Sequence, residues 1–127
     1  MLAGPYTTMI LADLGAEVVK IEQPKIGDIT RNLLKDDPKY SLDGIGAYHL
    51  TLGRNKKSVE LDLKSEEGLK LFKELVSVAD VVVDNFSQGV TKRLGIDHQS
   101  LKKVNPKIIT CSISGFGDTE VNRPAYD

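Results

Sequence analysis

The run KSVELDLKSEEGLKLFKELVSVADVVVD, residues 57–84, changes its hydrophobic period twice. From Lys57 to Leu63 the apolar residues alternate, with Val59, Leu61 and Leu63 on one face, the pattern of a half-buried strand. Ser65 then offers an N-cap hydroxyl, and Glu66 and Glu67 occupy the first turn, where the helix dipole favours carboxylates. Gly68, Leu71, Phe72, Leu75, Val76 and Ala79 follow at helical spacing, the expected buried stripe of a helix ending near Ala79. Asp80-Val81-Val82-Val83-Asp84 is a β-branched run between acids, as expected of a strand covered on both faces. Strand, helix and strand in succession argue for parallel pairing through a crossover helix.

The flanking segments repeat the alternation. Leu2 to Leu14 reads as a helix, with Pro5 early, where a missing N–H costs little, and Gly15 as its stop. Glu17 to Glu22 reads as a strand. Residues 23 to 45 are polar and turn-rich, a long excursion of the kind that is functional or mobile. A short helix is expected over Gly46 to Leu52, two more over Gly89–Leu94 and Gln99–Val104, and a last strand over Lys107–Ser114, broken by Gly115-Phe116-Gly117. The expectation is one α/β domain over residues 1–127, a mostly parallel sheet with crossover helices. It is expected to be incomplete: the opening helix lacks the strand that would precede it, and the chain stops at Asp127 directly after a loop.

Composition narrows the partners. The 127 residues carry 40% hydrophobic and 28% charged side chains, an ordinary globular balance. A net charge of −1 gives no global field to draw nucleic acid or anionic membrane, so any anion recognition is local. No apolar run approaches the roughly 20 residues that span a bilayer, and Asp13 and Glu17 interrupt the N-terminal apolar stretch. The single cysteine, Cys111, lies in an apolar strand and reads as a small core residue, which suits a reducing compartment and makes the cytoplasm the default. His49 and His98 have no partner at metal-ligand spacing and are expected in surface or capping roles, with no metal site.

Parallel sheets bind ligands beyond the carboxyl ends of their strands. Lys64, Asn85, Phe86 and Gly115 all fall there. A lysine beside a helix N-terminus, a carboxamide and an aromatic ring suit an anionic ligand with an apolar part. The alternative for Asn85-Phe86 is an ordinary strand-to-helix turn with a core aromatic. Arg54, Lys56 and Lys57 form a basic cluster; such a run is usually a solvated face, and the alternative is anion contact. Glu22 sits where a ribose-binding acid would, but no G-x-G-x-x-G precedes it, which counts against a nicotinamide-binding domain.

An ordered set of motifs then stands out: Ala3-Gly4-Pro5, the run Leu11 to Glu22, Gly27-Asp28, Arg54 to Lys64, Ala79 to Phe86, Arg93-Leu94-Gly95, Asn105-Pro106 and Ser114-Gly115-Phe116-Gly117. This succession resembles the N-terminal part of the family III CoA-transferases, which include formyl-CoA, carnitine and succinyl-CoA-type transferases and the α-methylacyl-CoA racemases. The resemblance covers nearly the whole chain. It implies a Rossmann-like large domain, an interlocked ring-shaped homodimer or association with a missing C-terminal part, and coenzyme A bound as an acyl-CoA that exchanges with a carboxylic acid acceptor. It also implies CoA contacts at Gln23, Leu61, Leu63, Lys64, Asn85, Phe86, Arg93 and Leu94. Lys64 and Arg93 would meet phosphate, while Leu61, Leu63, Phe86 and Leu94 would line the adenine or pantetheine.

The same resemblance places the nucleophilic aspartate beyond Asp127, so no catalytic residue is assigned within the chain. In the family that carboxylate attacks the thioester to give an acyl-aspartyl anhydride, and the released CoA then forms an aspartyl thioester. There are departures from the pattern. Gln23 stands where members often carry arginine, which implies a phosphate or adenine contact either weakened or passed to Lys25; Ser87-Gln88-Gly89 replaces a basic-Pro-Gly turn; and the loop Asp118-Thr119-Glu120-Val121 is short. Tyr126 occupies the position of the racemase histidine, which favours the transferase over a racemase fragment. A non-catalytic CoA-binding module or subunit is the other alternative.

Overall fold

A computed structural model of the chain describes residues 2–117. Among these are five α-helices, α1 (Ala3–Asp13), α2 (Ala47–Gly53), α3 (Glu66–Val78), α4 (Val90–Leu94) and α5 (His98–Lys102). Six short strands accompany them, β1 (Val18–Glu22), β2 (Ser41–Leu42), β3 (Ile45–Gly46), β4 (Lys56–Glu60), β5 (Val81–Asp84) and β6 (Ile109–Ser112). The α/β class read from the sequence stands. The backbone divides into two compact units, one of Pro5–Asp62 and one of the residues through Gly4 with the chain from Leu63 onward. They are called the N-terminal and C-terminal units below. Strand pairing differs from a single sheet: the described residues form three two-stranded ladders, because β1 with β4 and β5 with β6 each pair inside their own unit.

In the C-terminal unit β5 and β6 run parallel, in register from Val81 opposite Ile109 to Asp84 opposite Ser112. Helix α3 starts as its sequence dictates: Ser65 Oγ accepts from the Gly68 N–H at 3.0 Å, with Glu66 and Glu67 in the first turn. Its end is closed in part by a distant side chain. The Val76 carbonyl accepts from the Ala79 N–H at 3.2 Å, and Asn105 Nδ2 adds bonds to the carbonyls of Val76 (3.1 Å) and Ala79 (2.8 Å). Helix α4 stops at Gly95, whose φ of 66° lets its N–H return to the Lys92 carbonyl. Asp97 caps α5 by accepting from the N–H groups of Gln99 and Ser100. The core is apolar throughout: Phe72, Val76, Ile96, Leu101 and Ile108 are buried, with Leu101 at 0% and Val76 at 1% exposure.

Two stretches are less buried than their sequence pattern implies. The buried stripe of α3 is Gly68, Phe72 and Val76 only; Leu71 and Leu75 are exposed, and Val78 is 82% exposed. The β5 run is not covered on both faces, since Val81 (44%) and its register partner Ile109 (61%) are open. β-branched residues set the strand conformation, whereas burial depends on what packs against it.

In the N-terminal unit β1 and β4 are parallel, with Val18 opposite Lys56 and Glu22 opposite Glu60, and the Leu61 N–H extends the ladder to the Glu22 carbonyl at 3.0 Å. Strand β4 therefore ends at Glu60 rather than Leu63, and Leu61 turns inward as a buried residue. Met9, Ala12 and Leu52 join it, but so do three polar residues, Glu22, Thr30 and His49.

The excursion after β1 is built rather than loose. It holds a 3-10 turn over Ile29–Asn32 and the antiparallel β2–β3 hairpin. Asp43 and Gly44, both at positive φ (51° and 74°), make the tight turn of that hairpin. Gly46 lies so close to the preceding turn that a Cβ there would sit 2.1 Å from the Leu33 carbonyl oxygen, although its φ of −60° suits any residue.

Candidate functional site

The C-terminal unit contains Leu63, Lys64, Asn85, Phe86, Arg93 and Leu94; Gln23 and Leu61 belong to the N-terminal unit. Lys64 is exposed in the turn before the Ser65 cap of α3, and the neighbouring Leu63 is half-buried. Phe86 is exposed just past β5, and its N–H donates to Asp84 Oδ1 at 3.1 Å. The other oxygen of Asp84 accepts from Ser112 Oγ on the paired strand, so one carboxylate joins both strand ends. Arg93 is exposed and Leu94 half-buried in the last turn of α4.

Asn85 is exposed, and its carboxamide makes two hydrogen bonds within the unit. Its Nδ2 donates to the Ile113 carbonyl at 2.7 Å, and its Oδ1 accepts from the Gly4 N–H at 3.3 Å. A Cβ on Gly4 would lie 3.0 Å from Asn85 Cβ, so glycine is what permits this approach. The carboxamide thus ties the start of α1 to the end of β6, and both its ends are engaged inside the protein. It holds the backbone from which Phe86 projects.

In the N-terminal unit Gln23 is exposed at the first residue of a closed turn, its carbonyl accepting from the Gly27 N–H at 2.8 Å. Beneath that turn lies Glu22, only 5% exposed. Its carboxylate accepts two bonds from the Arg31 guanidinium (2.7 and 2.8 Å), one from Ser58 Oγ (2.9 Å) and one from the Asp28 N–H (2.8 Å). Arg31 holds the Glu22 carboxyl down at about 2 against a burial that would raise it, with Ser58 and the Asp28 N–H helping. Asp28 accepts from Thr30 N–H and Oγ1 and pairs with Lys20. Burial pushes its carboxyl up, but Lys20 and Thr30 outweigh it and leave it at about 2. Thr30 Oγ1 lies 3.1 Å from Nδ1 of His49, whose pKa is lowered first by burial and then by Arg31. His49 is thus a buried member of this network, not the surface residue expected. Sequence reading missed the network as a whole; the signal present was a strand-end acid with a second acid and a base six and nine residues on.

The basic cluster is also accounted for. Arg54 makes a two-pronged ion pair with Asp13, Asn55 donates to the same carboxylate, and Lys57 pairs with Glu17. Lys56 Nζ donates to the Pro5 carbonyl (2.7 Å) and Thr8 Oγ1 (2.8 Å). Burial pulls its ammonium down to about 8. These side chains fasten the start of β4 to α1 and the β1 entry, so the cluster is an anchor.

Among the described residues no group of three or more His, Cys, Asp or Glu side chains is placed to hold a metal ion. None of their helices is long and apolar enough to cross a membrane. A groove of about 460 Å³ along α3, lined by Leu69, Lys73 and Val104 among others, contains none of the expected contact residues. Tyr126, Asp127 and the 118–121 loop lie outside the described residues.

Residues 1–127 match the profile of CoA-transferase family III from end to end. The chain belongs to that family. Among family III relatives, a mouse (Mus musculus) succinyl-CoA:glutarate CoA-transferase is 40% identical, aligned over 100% of this chain and 29% of its own length. A formyl-CoA:oxalate CoA-transferase of Rhodopseudomonas palustris is 43% identical over 91% of this chain and 26% of its own length. A crystal structure of a CaiB/BaiF family protein from Brucella suis superposes with a TM-score of 0.88 at 43% identity, covering 99% of this chain and 34% of that one. The chain thus spans between a quarter and about a third of the length of these proteins.

Proposed function

We propose that this chain is the coenzyme A-binding portion of an acyl-CoA:carboxylate CoA-transferase. The observation that carries the reading is the end-to-end family match, together with curated relatives whose names pair an acyl-CoA with an acid, succinyl-CoA with glutarate and formyl-CoA with oxalate. The side chains suit the ligand. Lys64 and Arg93 are exposed cations for the phosphates, and the exposed Phe86 ring with half-buried Leu63 and Leu94 offers apolar surface to the adenine or pantetheine. Within the N-terminal unit, the family resemblance separately assigns CoA contacts to the exposed amide of Gln23 and to Leu61. Asn85, exposed beside Phe86, is assigned an amide hydrogen bond to CoA, and its bonds to Gly4 and Ile113 fix the backbone that presents both.

In the reaction a carboxylate outside these residues attacks the thioester carbon and expels CoA as thiolate, leaving an acyl anhydride on the enzyme. The thiolate then attacks the enzyme's own acyl carbon, releasing the donor acid and leaving an enzyme thioester. The acceptor acid completes the exchange. The role of this chain is to keep CoA bound between these steps, so that its thiol acts as a neighbour rather than a solute. The exposed apolar residues of α1 (Tyr6, Ile10), of the turn after it (Leu14) and of α3 (Leu71, Leu75, Val78) support association with the rest of the enzyme, in an interlocked homodimer or with a complementary chain. The free Cys111 fits a reducing, cytoplasmic setting.

Calorimetric titration of coenzyme A into the full chain tests the reading. Wild type is expected to bind, and Lys64→Ala to lose ~1.5–3 kcal/mol of binding free energy, the size of a charge-assisted contact. Equal affinity in the variant removes Lys64 from the site. Absence of binding by wild type sinks the function.

A further inference from the structure

The closed turn Gln23-Pro24-Lys25-Ile26-Gly27 is held from three sides. Gly27 returns its N–H to the Gln23 carbonyl at 2.8 Å. Glu22, immediately before the turn, reaches past it to the Asp28 N–H and Arg31. Glu60, the register partner of Glu22 across the β1–β4 ladder, accepts from the Lys25 N–H at 3.2 Å. Two non-helical features depend on these supports. Lys25 adopts φ 66°, a left-handed conformation that residues with a Cβ seldom hold without outside constraint. Gly27, at φ 68°, is in the left-handed region that favours glycine, and a Cβ there would press on Glu22 Oε2 and Arg31 Cδ, each 3.0 Å away.

Resting on the reading above, in which Gln23 touches CoA, we propose that Glu22 and Glu60 are positioning residues for that contact. Both carboxylates bond to the turn or its flanks. Glu22 spends its acceptor capacity on Arg31, Ser58 and a backbone N–H, so it is committed to the turn. Glu60 is exposed, and its bond to Lys25 N–H fixes the one residue of the turn whose backbone is strained. Together, opposite strand-end acids orient the Gln23 amide and the Lys25 ammonium, and binding then requires no further ordering of the turn. A loop free to sample other conformations would lower apparent affinity by the fraction of time spent misaligned.

The test is calorimetric titration with coenzyme A on the full chain as wild type, Glu22→Gln, Glu60→Ala and the double variant, with thermal melting run on each. The expected result is an affinity about tenfold weaker in each folded single variant. Glu60→Ala should melt as wild type does, which separates positioning from general stability. The double variant should lose less than the product of the two single losses, because both act through one turn. Wild-type affinity in folded Glu60→Ala, or strictly multiplicative losses, overturns the inference while leaving the CoA reading intact. Should Glu22→Gln not fold, Glu60→Ala alone decides. Failure of wild type to bind overturns the CoA reading and this inference with it.

Discussion

The two units use the same parts, a pair of parallel strands and helices, yet cohere by different physics. The C-terminal unit is dry: Phe72, Val76, Ile96, Leu101 and Ile108 make an apolar core, and its polar side chains work at the ends of elements. The N-terminal unit buries a carboxylate, a threonine and an imidazole among few apolar residues, and joins them by hydrogen bonds and ion pairs. Apolar burial is insensitive to pH and tolerant of small geometric error. A buried ionic network tolerates neither, but it fixes a single arrangement where the satisfied geometry is met. That suits an excursion that must hold a defined shape without strands of its own length.

The largest test is at the dry side. Leu101→Ala deletes a fully buried side chain and should cost ~3 kcal/mol, read as a lower urea midpoint at unchanged slope. A cost below ~1 kcal/mol would show that the site collapses and that the core is looser than its burial implies. Next comes the wet side. Glu22→Gln leaves Arg31 without its anion and should cost ~2 kcal/mol, with loss of amide protection over residues 23–31 and none over β5 and β6. Uniform loss of protection would erase the distinction between the units.

Acid should separate them without mutation. Glu22 falls from 4.5 and Asp28 from 3.8, each to about 2, so both are deprotonated more readily in the folded chain. The folded chain therefore binds fewer protons, and the stabilisation present above pH 4.5 is lost as pH falls toward 2. His49, lowered from 6.5, has the same sign and begins to contribute to the loss below that value. Amide protection in the N-terminal unit is thus expected to fail at higher pH than in the C-terminal unit; the reverse order would refute the network as its support. A smaller effect, ~1 kcal/mol, is expected from Asn85→Asp, which keeps an acceptor for the Gly4 N–H but loses the donor to Ile113. Smallest of all is Lys57→Ala: its pair with Glu17 is open to solvent, and no shift in the thermal midpoint should be measurable.

The contrast also explains what the sequence made legible. Helix α3 could be read because cap, first-turn acids and apolar period are all local, and its Ser65 and Glu66 behave as local chemistry requires. The same holds for β5 and for α5, whose Asp97 cap is one residue from the helix. The β2–β3 hairpin had a readable cue in Asp43-Gly44 between Leu42 and Ile45, hidden within a stretch dominated by polar residues. Glu22 with Asp28 and Arg31 left only a faint local spacing, and the part played by Ser58 arises only when the chain folds back and brings β4 alongside β1. Asn85 shows a further limit. Its position at a strand end was legible, but a side chain's partners are set by backbone that comes from residues 4 and 113. The exposed edge of α3 illustrates the converse, since period alone gives Leu71 and Leu75 a face without saying what meets it.

Gly46 has a consequence for how this sequence can drift. Its backbone angles would accept any amino acid, so local conformation places no restriction on its codon. The restriction comes from the Leu33 carbonyl oxygen, 2.1 Å from where the first carbon of any side chain would stand, and a main-chain atom cannot swing aside as a flexible side chain does. In a saturation library position 46 should therefore admit no substitution, alanine included. Gly44, whose added carbon would meet nothing within 4 Å, should still accept asparagine or aspartate despite its φ of 74°.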